Sequence, residues 1–89
     1  MNSILSVMGK QPEHIDGHFS CSDKKITSLE GAPSSVGFYF NCSYNNLASL
    51  EGAPSSIGGN LSCFNNKLTS LHNIHKQIKY IGGIATFND

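Results

Sequence analysis

Four histidines, three cysteines and two glutamates in matched positions are the residues in this 89-residue chain whose types and spacing could do chemistry. His72-x-x-His75 and His14-x-x-x-His18 would each put two imidazoles on one side of a helical turn. Zinc needs at least a third protein ligand, and neither pair has one at usable spacing, so we expect no metal and no other cofactor. Glu30 and Glu51 occupy equivalent places and could pass for a carboxylate pair; we read them as solvated turn residues near Lys24, Lys25 or Lys67. No Ser-His-Asp order, phosphate-cradling glycine loop or activated thiol is apparent, and the expectation is a protein that is not an enzyme.

The cysteines lead to the organisation of the chain. Cys21, Cys42 and Cys63 are spaced 21 apart, as are Phe19, Phe40 and Leu61, then Ile26, Leu47 and Leu68, and Leu29, Leu50 and Leu71. Val36, Ile57 and Ile78 form a fifth column on the same period. A shared period in the twenties describes a repeat array in which each copy buries its apolar side only by stacking on the next.

Within a copy, Phe40-x-Cys42 and Leu61-x-Cys63 alternate as a strand does, two residues inward and the intervening ones outward. The chain then bends at Asn45 and Asn66, whose amides are expected to hydrogen-bond the backbone of adjacent coils in a ladder. Copy one has Lys24 in this column and should differ there. The returns Glu-Gly-Ala-Pro-Ser-Ser have turn composition and too few residues for an α-helix, so irregular or 3₁₀ structure is expected. Cys21, Cys42 and Cys63 belong with the asparagines to the structural interior, as reduced thiols, and from that we expect a cytoplasmic setting.

These features give a β-rich repeat solenoid of three leucine-rich-repeat coils with a short parallel sheet. Residues 1–16 are expected to cap the N-terminal end, with Ile4, Leu5, Val7 and Met8 on one side of a short helix that Pro12 stops. Residues 17–78 hold the three repeats, and 79–89 a C-terminal cap or partial repeat. His72 to Lys79 could form a helical turn with Leu71, Ile74 and Ile78 on one side.

The pattern L-x-L-x-x-N-x-L and the run Ser-Leu-Glu-Gly-Ala-Pro-Ser-Ser, at 28–35 and 49–56, resemble the leucine-rich-repeat proteins of large tailed bacteriophages. The resemblance covers roughly residues 17 to 87. It implies a phage-encoded inhibitor or modulator of a host protein, such as a host defence system in the manner of anti-CRISPR proteins, acting by occlusion in the host cytoplasm.

Composition narrows the partners. Six Lys plus Arg balance six Asp plus Glu, which removes the electrostatic case for nucleic acid or an anionic membrane. The outward strand row, the concave face of such a repeat, then becomes the candidate partner-binding surface: Tyr39, Asn41, Ser43 and Tyr44 in copy two, and Ser62, Phe64 and Asn65 in copy three. Tyr39, Tyr44 and Phe64 stand out, because exposed aromatics do nothing for a core and anchor interfaces well. Phe38 has no obvious place. The alternative function is self-assembly, a homodimer stacked through the open end coil with Ile81, Ile84 and Phe87.

Overall fold

The computed structural model describes residues 2–69 and 77–87. It is a parallel β-solenoid of three coils, with short strands in two ladders instead of a single sheet. One ladder stacks β1 (His14–Ile15), β3 (Ser35–Val36), β5 (Ser56–Ile57) and β7 (Tyr80–Ile81). The other stacks β2 (Phe19–Ser20), β4 (Phe40–Asn41), β6 (Leu61–Ser62) and β8 (Ala85–Thr86). Four rungs in each ladder bound three full turns of the chain.

The five inward columns form the core. Phe19, Phe40 and Leu61 pair in register, and the rings of Phe19 and Phe40 stack with centroids 5.6 Å apart. Cys21, Cys42 and Cys63 are buried beside them, followed by Ile26 with Leu47 and Leu29 with Leu50. Each buried Leu, Ile or Phe contributes about 1.5–3 kcal/mol by leaving water, and stacking is what removes that water. Leu68 packs against this cluster from a half-buried position.

One column needs correction. Val36 and Ile57 pair as expected, but the next member is Ile81, not Ile78. The step from Ile57 to Ile81 is longer than 21 because the third coil carries extra residues, and Leu61 likewise pairs with Ala85. Ile78 is still buried, outside this ladder. Leu71, His72, Ile74 and His75, with most of the helical turn expected at 72–79, lie outside the described residues.

Two local devices let the coils close. The corner between the ladders is Gly37, Gly58 and Gly82, stacked above Asp16; a Cβ on any of these glycines would run into the carbonyl oxygen of the rung before it. Asp16 can carry a side chain there because its rung is the first. The returns are turns: Ala32 donates its N–H to Leu29 O and Ala53 to Leu50 O, both at 3.0 Å. Gly31 and Gly52 take φ of 96° and 93° in them, values that glycine adopts without steric cost.

The N-terminal segment lies against the first return. Thr27 N–H donates to Asn2 O, Leu5 N–H donates to Glu30 O, and Ser3 bridges Ser28 in parallel. Helix α1 (Ile4–Met8) starts with a capping box in which Ser3 Oγ accepts from Ser6 N–H and Ser6 Oγ accepts from Ser3 N–H. Ile4 is buried and Met8 half-buried, whereas Leu5 and Val7 are exposed. The expected single apolar side is therefore narrower, since residues four apart share a face and neighbours are turned by about 100°.

Candidate functional site

Each bend is held by an asparagine. Asn45 Oδ1 accepts from Lys24 N–H at 2.9 Å and Ile26 N–H at 3.1 Å, while Nδ2 donates to the carbonyls of Cys21, Cys42 and Ser43. Asn66 does the same one coil later, accepting from Leu47 N–H and donating to Cys42 O, Cys63 O and Phe64 O. Both amides serve their own bend and the coil before it. Lys24 has no earlier coil to serve, and its side chain is exposed.

The rigid bends position the outward row of the second ladder. Register aligns His18, Tyr39, Asn60 and Ile84, then Ser20, Asn41, Ser62 and Thr86. At one end, His18 and Tyr39 stack with centroids 4.0 Å apart and planes 17° from parallel, and Phe38 lies 5.3 Å from His18. At the other end Tyr44 meets Phe64 edge-on at 5.3 Å. Tyr39, Phe38 and Tyr44 are exposed by 40, 56 and 53%. Tyr39 directly precedes β4, and Tyr44 begins the bend that follows it.

The polar residues between are less available. Asn41 is half-buried and its Oδ1 accepts from Ser43 N–H. Ser62 and Phe64 are half-buried and Asn65 is exposed. Ser43, expected on the face, is fully buried, and its Oγ has no hydrogen-bond partner. Ser43 has a rung on each side, so a side chain this short is covered, whereas Ser22 on the first rung stays half-buried.

Asp23, Tyr44 and Asn65 share the left-handed start of the bend, with φ of 57°, 59° and 58°. Asp and Asn tolerate this region; a bulky tyrosine is an outlier there. Copy two therefore keeps Tyr44 at a conformational cost of about 1 kcal/mol.

Sequence reasoning missed two features. The His18 stack brings Phe38 into the aromatic group, and the spacing His18–Tyr39 was the available signal. The second is a chain of contacts from Ser35 Oγ to His14 Nδ1 and from His14 Nε2 to Asp16 Oδ1 at 2.9 Å. The 21-residue spacing of His14 and Ser35 signals it. His14 and Asp16 are 56 and 100% exposed at their side chains, and the nearby N–H groups of Ser34, Ser35 and Gly37 donate to Glu13 O or Ile15 O, leaving none of these three for an oxyanion. The contact ties two surface rungs together.

Glu30 and Glu51 line a shallow open depression on the return side with Thr27, Ser28, Ser49 and Gly52. Both are exposed, and no Lys–Glu ion pair forms among the described residues. Within the same residues, no cluster of three His, Cys, Asp or Glu could hold a metal, and no helix is long and apolar enough to cross a membrane. Comparison with family models, with curated proteins and with solved structures finds no match to this chain.

Proposed function

We propose that this chain is a non-catalytic binding module that receives a protein partner on the outward row of its second ladder. The observation that carries this reading is Tyr44. A tyrosine held at φ 59°, where the sister copies have Asp23 and Asn65, costs stability and leaves its ring half in water. A side chain retained against the local backbone preference, in an exposed place, is one selected for contact with something outside the chain. Tyr39, Phe38 and His18 at the far end of the row and Phe64 beside Tyr44 supply the other anchors, and Asn41, Ser62 and Asn65 the polar margin.

The formal net charge of zero favours a protein over nucleic acid or an anionic membrane. The resemblance to phage leucine-rich-repeat proteins extends the proposal to a host protein occluded in the host cytoplasm, a setting with which three free thiols agree. The test is affinity capture from bacterial lysate with the parent chain, with Tyr44→Asn, which suits the left-handed backbone, and with Glu30→Gln on the return side as control. One protein captured by parent and control but not by Tyr44→Asn supports the site; capture indifferent to Tyr44 overturns it.

A second reading, self-assembly, is favoured by the far end of the solenoid. Among the described residues β7 and β8 have a neighbour on one edge only, and Ile84 is 71% exposed. Strand edges of this kind template pairing with another copy. A dimer mass in solution that reverts to monomer with Ile84→Lys would support this reading, and a monomer at all concentrations would remove it.

A further inference from the structure

We propose that Cys42 and Cys63 are a redox-forming pair, closing a disulfide between the second and third coils while Cys21 stays a thiol. The two sulfurs are 2.9 Å apart in the core. They follow β4 and β6, whose in-register pairing of Phe40 with Leu61 puts Cys42 opposite Cys63. Neighbouring parallel strands lie roughly 4.8 Å apart, inside the roughly 4.4–6.8 Å span of Cα positions that a disulfide bridges. The thiol–thiol hydrogen bond joins Cys42 to Cys63, and Cys21 makes none with either. The selectivity is therefore geometric: three cysteines share a column, and one pair is hydrogen-bonded.

The oxidant is hydrogen peroxide, a molecule little larger than water. One sulfur of the pair, as the thiolate, attacks a peroxide oxygen; the O–O bond breaks, an S–O bond forms, and hydroxide leaves as water with the proton that thiol released. The other sulfur then attacks the resulting sulfenic sulfur, the S–O bond breaks, and the hydroxyl departs as water with the second thiol's proton. Two electrons pass from the thiol pair to the peroxide, and the products are one disulfide and two waters. Reduction by a small thiol reverses it.

The position of the pair has a consequence for the surface above it. Cys63 directly precedes Phe64, and Cys42 stands two residues before Tyr44, so the bridge tethers the two rungs that carry this aromatic contact. It also closes a loop that includes the whole return at 49–56.

The test exposes the folded, reduced protein to hydrogen peroxide, quenches, alkylates under denaturing conditions and measures intact mass. The expected product has lost two hydrogens, keeps one alkylatable thiol of three, and melts at a higher temperature until reductant is added. Lys25 and Lys67 leave both cysteines on one tryptic peptide, so chymotrypsin, which cuts at Tyr44, Leu47 and Leu50, maps the bridge. Cys21→Ala should cross-link as the parent does, and Cys42→Ala and Cys63→Ala should not. Three alkylatable thiols after exposure, a bridge that includes Cys21 or a second chain, or oxygen adducts without a bridge would each overturn the proposal. The parent map decides this even where an alanine variant fails to fold.

Discussion

The bends of the first and second coils occupy the same place in the repeat and are built differently. Coil two has Asn45 buried, with five hydrogen bonds divided between its own bend and the coil before. Coil one has Lys24 exposed, and its bend takes a second left-handed residue, Lys25 at φ 58°. The difference teaches which way the amide works: it clamps backward, so the first coil is served by Asn45 and needs no asparagine of its own. A column in a solenoid is thus not a set of equal sites, because the first member lacks a neighbour on one side.

Asn45→Ala tests this most severely. It strands backbone groups in two coils at once, and we expect a loss of about 3 kcal/mol in urea unfolding. A loss under 1 kcal/mol would break the clamp argument.

Alkaline pH loads the same first coil without a mutation. Burial, with a smaller push from the Cys42 thiol, raises Cys21 from 9.0 to about 12. The folded chain therefore keeps a proton that the unfolded chain releases above pH 9, so stability is intact below pH 9 and is lost as pH climbs towards 12. The slope is about 1.4 kcal/mol per pH unit, or about 2 kcal/mol by pH 10.5. Unfolding titrations from pH 8 to 11 check it: Cys21→Ala should lower the slope by that share and leave the part due to the raised Cys42 thiol, and equal slopes in both would remove the assignment.

Asn66→Ala should cost about 1.5 kcal/mol, less than Asn45→Ala, because Asn66 is half-buried and water can replace part of what it supplies. Equal losses would mean that burial does not grade the clamp. Tyr44→Asn should move the other way, a gain of about 0.5–1 kcal/mol from relief of the left-handed backbone, read as a raised melting temperature. A loss instead would show that the edge contact with Phe64 outweighs the strain. Lys24→Asn comes last, within about 0.5 kcal/mol of the parent, as expected of an exposed site without a function in the clamp.

Much of the interior was legible. Phe19, Phe40 and Leu61 could be put in one column, and Asn45 and Asn66 at its bends, because a constant period repeats the same environment. The outward row was legible only as a row. Ser43 reads as exposed by alternation and is covered by the rungs on either side. Tyr44 was singled out for its type, while its left-handed backbone is visible only beside Asp23 and Asn65. His18 and Phe38 acquire meaning from the stack with Tyr39, a contact between coils.

What the sequence determined by itself is the repeat: which residues face inward, where the chain bends, and the stacking of parallel coils, since the 21-residue spacing of apolar and amide residues permits few other ways to bury them. Only the tertiary structure decided the rest. It moved Ile81 into the column assigned to Ile78, added the second ladder, brought Cys42 against Cys63, and turned Leu5 and Val7 to water. The physical reason is that a period specifies environments along the chain, whereas these outcomes depend on where extra residues are absorbed and on which rung has a neighbour.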